Sequence, residues 1–136
     1  MTEIKKEAKE LLNQGPKEWS KDTIDMKRYF ITDALDDLIG CQNRGEGIFV
    51  ASKLGELVSE FILRSNRKWI GSSKWVVRSL VQHDKELANE FVEAFDTFYK
   101  TSDIHKIVSF IDKVLKPYGG RFFEGFSIGK TKKNSD

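Results

Sequence analysis

The sequence predicts an all-α fold, an antiparallel bundle of five or six helices joined by short loops. Three observations predict it. Apolar residues recur with a helical period almost from end to end, and no alternating strand pattern interrupts them. The two prolines, Pro16 and Pro117, stand beside other turn residues, so they punctuate helices rather than break them. The 136 residues suit one domain, long enough to bury a real core without a disulfide or metal staple. Residues 1–127 are expected to form that domain, and the basic polar tail 128–136 to be disordered.

Each element follows from its own pattern. The first helix is expected over Thr2–Leu12, with Ile4, Ala8, Leu11 and Leu12 on one face and Gly15-Pro16 as the stop. The second runs from Asp22 to Ile39, with Ser20 or Asp22 as N-cap and Gly40 following as a stop. Its buried stripe is read as Phe30, Ile31, Ala34, Leu35, Leu38 and Ile39. The third, Glu46–Leu63, is apolar on more than one side, Phe49 included, and is therefore the central helix. Gly55 inside it costs about 1 kcal/mol against alanine, which close approach of a neighbouring helix would explain. The fourth is short, Ser73–Gln82, with Trp75, Val76, Leu80 and Val81. The fifth starts at the N-cap Asp84 and carries the row Leu87, Phe91, Phe95, Phe98. The sixth, capped by Ser102, carries Ile104, Ile107, Val108, Ile111, Val114 and Leu115 and ends at Pro117 and Gly119-Gly120. The aromatic run Phe122-Phe123-Glu124-Gly125-Phe126 is expected to pack back on the bundle.

Composition narrows the function classes. Apolar residues at 39% and charged residues at 32% give a globular balance. A formal charge of only +2 argues against non-specific nucleic-acid binding, so nucleic acid is an unlikely partner on bulk charge. The single cysteine, Cys41, has no histidine near it in sequence and reads as a small residue at a helix end in a reducing cytoplasm. The charged N-terminus has no apolar stretch behind it, so no signal peptide is expected. The longest apolar run, Ile48 to Ala51, is far too short to span a bilayer, so no membrane partner is expected.

Several motifs bear on chemistry. Gly129-Lys130-Thr131 lacks the spacing, preceding strand and following helix of a phosphate-binding loop. Gly71-Ser72 followed by Asp84-Lys85-Glu86 resembles a metal-binding nucleotidyltransferase pattern, but Lys85 opposes a metal and Asp84 opens a helix. No metal site is expected. Arg78 and His83 have the Arg-x-x-x-x-His spacing of helical ribonuclease domains, which cleave RNA at a dimer cleft. His105 reads as a surface residue. Tyr29, Asp33 and Asp37 share one helix face at i, i+4, i+8, with Asp36 beside them. Like charges at that spacing cost a helix a few tenths of a kcal/mol unless a cation balances them. Lys74, Arg78, Arg44 or an amine-bearing ligand would serve. Trp69 and Trp75 flank the small polar turn Gly71-Ser72-Ser73-Lys74, with Trp75 read as core and Trp69 as the rim of a pocket.

Three segments together resemble a family. Arg28-Tyr29-Phe30-Ile31-Thr32-Asp33-Ala34-Leu35-Asp36-Asp37-Leu38 looks like a signature in the C-terminal half of certain bacterial nucleotidyltransferase-domain proteins, a group similar to aminoglycoside nucleotidyltransferases. Asn66 to Trp75 is similar to that family's Trp followed by Gly-Lys-Trp, and Tyr118-Gly119-Gly120 to Phe126 resembles its closing segment. The resemblance spans about Glu7 to Ser127 and implies a helical, substrate-binding domain that completes the cleft and holds an acceptor. Tyr29, Asp33, Asp36, Asp37, Trp69 and Lys74 would meet the acceptor, and an amine-bearing one would suit their charge. Asp33 or Asp37 would be the general base. Magnesium and a nucleoside triphosphate would be held by a separate catalytic domain or subunit, so the chain alone is expected to be inactive as a transferase. Two alternatives stand beside this reading: a ribonuclease-like homodimer using Arg78 and His83, and a plain helical interaction module.

Overall fold

A computed structural model describes residues 15–123, and among them every regular element is helical. Five α-helices follow in order: α1 Lys21–Gly40, α2 Arg44–Ser65, α3 Lys74–His83, α4 Lys85–Thr101 and α5 His105–Leu115. A single 3₁₀ turn, Lys116–Tyr118, closes the series. These are the second to sixth helices expected from sequence. The expected helix Thr2–Leu12, the glycine–lysine motif at 129–131 and the tail lie outside the described residues.

The caps show why the helices begin where they do. Ser20 accepts the Thr23 amide at 3.1 Å, Asn43 accepts that of Glu46 at 2.9 Å, and Asp84 accepts that of Leu87 at 3.1 Å. Each supplies a side-chain oxygen to an amide without an intrahelical partner. Ser102 does not cap the last helix as its sequence position suggested. It takes a left-handed conformation (φ 70) and closes α4, its amide donating to the Phe98 carbonyl. Asp103 instead accepts the His105 amide at 2.9 Å.

The helices pack consecutively, α1 on α2, α2 on α3, α3 on α4 and α4 on α5, and α2 also meets α4. The core is built from Ile31, Leu35 and Leu38 of α1, Leu54, Val58 and Phe61 of α2, Phe95 and Phe98 of α4, and Ile107, Ile111 and Leu115 of α5. Gly55 has the role expected of it. A Cβ there would lie 3.6 Å from the Phe95 ring, so the missing side chain lets α4 approach α2.

Three apolar residues depart from the sequence reading. Phe30 lies on the outer side of α1, and Ile39, in phase with Leu35, is exposed where the helix ends. Phe49, placed in a helix read as apolar nearly all round, is 78% exposed. Phe49 therefore lies on a side of α2 that no other described helix covers. Among the described residues no helix is long and apolar enough to cross a membrane.

Candidate functional site

The most buried charged group in the described chain is Arg28, only 7% exposed. Its position is dictated by periodicity, since residues 28, 31, 35 and 38 fall on one stripe of α1, and the last three are core. A buried guanidinium needs partners, and the segment after α5 supplies them. Nε–H donates to the Gly120 carbonyl at 3.0 Å, and Nη1 pairs with Asp25 at 2.9 Å. The guanidinium also lies 4.7 Å from the centre of the Phe122 ring. One turn along, Thr32 Oγ accepts the Phe122 amide at 2.9 Å while donating to the Arg28 carbonyl.

Gly119 completes this clasp. Its φ of 110° is a conformation that suits glycine, and a Cβ there would sit 2.9 Å from Arg28 Nη2. Asp25 is held below the usual carboxylate range, first by the hydrogen bond from Lys21 and then by Arg28. The first and third segments of the family resemblance thus meet in one structural junction, with Tyr118 packed edge-on against Phe61 at 5.1 Å.

The clasp orients the acidic row. Arg28 and Thr32 face inward, so Asp33, Asp36 and Asp37 are all exposed, and Tyr29 is half-buried with its ring 5.9 Å from that of Phe30. A cation not named from the sequence lies within the field of this row. Arg121 pairs with Asp112 at 2.9 Å, and its pKa is raised chiefly by that hydrogen bond, with a further contribution from the field of Asp36.

The three cations that the sequence reading named lie elsewhere. Arg44 binds the end of α4 through the Phe98 and Tyr99 carbonyls and Ser102 Oγ. Arg78 lies over the Trp75 ring at 4.6 Å, and Lys74 opens α3.

Trp69 and Trp75 are separated by a tight loop. Gly71 has φ 76, and a Cβ on it would fall 2.9 Å from that of Trp75, so the loop folds onto the start of α3 only with glycine there. Trp75 is not core, as the sequence had suggested, but 54% exposed, because α3 buries only Leu80. Trp69 is 46% exposed and lines a polar hollow of ≈ 370 Å³ with Arg67, Lys68, Ser79, Gln82 and His83.

Three further hollows, of ≈ 230, 320 and 460 Å³, lie beside Cys41, between α4 and α5, and beside Trp75. None of these four is lined by Tyr29, Asp33, Asp36 or Asp37, so the hollow that Trp69 lines is not shared with the acidic row. Arg78 and His83, five residues apart on α3, point about 140° apart around its axis. Arg78 stacks on Trp75, while His83 lines the hollow with Trp69.

His105 is exposed, its ring 2.8 Å from Asp103, as a surface residue. Asp103 is held below the usual carboxylate range by the His105 backbone amide and ring. Among the described residues no three His, Cys, Asp or Glu side chains gather as a metal site.

Periodicity foretold the acidic row but not the clasp. The signal available for the clasp was Arg28 itself, a charged residue in phase with an apolar stripe and matched to a Gly-Gly pair downstream. Comparison with family models, curated proteins and solved structures returned no match.

Proposed function

We propose that the chain is the acceptor-binding helical domain of a nucleotidyltransferase, with the solvent face of α1 as its acceptor surface. One observation carries the reading. The Arg28–Gly120 and Phe122–Thr32 hydrogen bonds join two of the three segments that carry the family resemblance, and they hold α1 with Asp33, Asp36 and Asp37 outward. A face that concentrates three carboxylates on two helical turns suits a ligand bearing amines.

At 4 Å in water each charge pair contributes about 1 kcal/mol. Three carboxylates therefore account for about 3 kcal/mol, enough to recruit a polyamine weakly and to lose it as salt rises. Asp33 or Asp37 would take the proton of an acceptor hydroxyl as that oxygen attacks the α-phosphorus of a nucleoside triphosphate and pyrophosphate leaves. The nucleotide, its magnesium and the rest of the cleft would come from a separate catalytic domain. Tyr29 borders the same face. Trp69 and Lys74 would reach the acceptor only if it extends beyond α1, or if the catalytic domain closes over both.

The test is calorimetric titration of an aminoglycoside and of spermidine into the chain at low and at physiological salt. Saturable binding that weakens with salt and disappears in Asp33→Asn/Asp37→Asn supports the reading. Binding that is unaltered by that double substitution refutes it.

A further inference from the structure

The near-neutral total charge hides a strong local asymmetry. From Phe61 to His83 the chain carries five cations, Arg64, Arg67, Lys68, Lys74 and Arg78, and no carboxylate. The rest of the chain is therefore net acidic. In the structure this stretch is the end of α2, the loop 66–73 and all of α3.

Two of the five cations are occupied. Arg64 lies over Trp19 and reaches the Lys17 carbonyl, and Arg67 Nε–H donates to the Pro16 carbonyl at 3.1 Å. Lys68, Lys74 and Arg78 enter no ion pair among the described residues.

The same surface displays two half-exposed indoles, Trp69 and Trp75. Two hollows, of ≈ 370 and 460 Å³, adjoin each other there, because Ser79 and Gln82 line both. One holds Lys68, Trp69 and His83; the other holds Trp75, Arg78 and Val81. Among the described residues no carboxylate lines either.

We propose that this face binds single-stranded nucleic acid, with backbone phosphates on Lys68, Lys74 and Arg78 and bases stacked on Trp75 and Trp69. Clustered cations without counter-charges repel one another, and a phosphodiester chain relieves that repulsion while releasing its own counterions. Arg78 lies over one face of the Trp75 ring, so a base stacks on the face that Arg78 leaves; an exposed indole offers such a surface to any base, which is how single-strand binders gain affinity without reading sequence. Bases in a duplex are already stacked, so the indoles favour a single strand. A membrane fits less well. Arg78 sits between Trp75 and Val81 on the exposed side of α3, which puts a charge in the middle of the strip that would have to enter lipid. The inference does not depend on the acceptor role of α1, which uses a different face.

The experiment is fluorescence anisotropy of a labelled oligouridylate of about 12 nucleotides, titrated with the full chain over a salt series. Three phosphate contacts predict a slope of log K against log salt near −2, since each contributes about −0.7 on a single strand. Lys74→Ala/Arg78→Ala should reduce that slope to about −0.7. Trp75→Ala should weaken binding about 10-fold or more, and Trp75→Phe should restore most of it. Tryptophan emission should be quenched on binding. All these side chains are exposed, so circular dichroism should show an unchanged fold.

No binding at about 50 mM salt, where phosphate contacts are strongest, overturns the proposal. So does binding that Trp75→Ala leaves unchanged. Equal or tighter binding to a duplex, to heparin or to phosphatidylserine vesicles also overturns it, because the face would then be a general polyanion surface or a membrane surface.

Discussion

Arg28→Ala should be the most damaging single surface-to-core change at the α1 clasp, and the structure sets its size. The hydrogen bond from the charged Nε–H to the Gly120 carbonyl contributes about 1.5–3 kcal/mol. The contact with the Phe122 ring adds about 0.5–1 kcal/mol. The pair with Asp25, whose side chain is 21% exposed, adds at most about 1 kcal/mol. The expected loss is about 3 kcal/mol, a large share of the roughly 5–15 kcal/mol that holds an ordinary domain. At about 4 °C per kcal/mol for a chain of this size, Tm falls by about 12 °C. Arg28→Lys should recover less than half of this, because an ammonium lacks the planar fork that serves Gly120 and Asp25 together. Urea unfolding of the three proteins gives the differences directly. A loss below about 0.5 kcal/mol for Arg28→Ala would place the residue among ordinary surface positions and refute the clasp. Strict additivity of Arg28→Ala with Phe122→Ala would refute the coupling between them.

Three further outcomes follow from the same contacts. Gly119→Ala should cost about 2 kcal/mol in urea unfolding, and only about 1 kcal/mol, the backbone strain alone, once Arg28 is alanine. Asp84→Ala should cost about 1 kcal/mol by loss of the α4 cap, whereas Asp84→Asn should be nearly neutral. Asp25 has a lowered pKa, so its contribution is fully present above the ordinary aspartate value near ~4 and is lost as pH falls through the lower folded value. Unfolding midpoints measured from neutral pH into that acid range should drop, and Asp25→Asn should flatten that part of the profile.

The fold was legible because four of the five described helices present long periodic stripes, and three of them open at Ser, Asn or Asp residues that do cap. The exception is α3. It is short, Trp75, Val77 and Val81 are all exposed and only Leu80 is buried, so reading Trp75 as core failed. Phe30 misled for a related reason. It neighbours Ile31 in sequence but lies a hundred degrees round the helix, on the side with Asp33 and Asp37. The acidic row needed no tertiary information, since i, i+4 spacing alone puts it on one face. The clasp did need it. Nothing local says that Arg28 will meet a glycine pair more than ninety residues later, and only its phase with Leu35 and Leu38 hints at burial. The influence of Asp36 on Arg121 is not legible either, because Arg121 follows a turn whose path periodicity does not describe.

The central claim, that the outer face of α1 is an acceptor surface, is tested most directly by a thermal-shift titration. The panel is aminoglycosides, polyamines and magnesium nucleotides, against the wild-type chain and Asp33→Asn/Asp37→Asn. A ligand present at a hundred times its Kd stabilises the folded state by about 2.7 kcal/mol, a shift of several degrees. The account predicts such a shift with an amine-bearing ligand, none with magnesium nucleotide alone, and loss of the amine response in the double variant. A flat response to every amine, or an amine response that survives the double substitution, would contradict it.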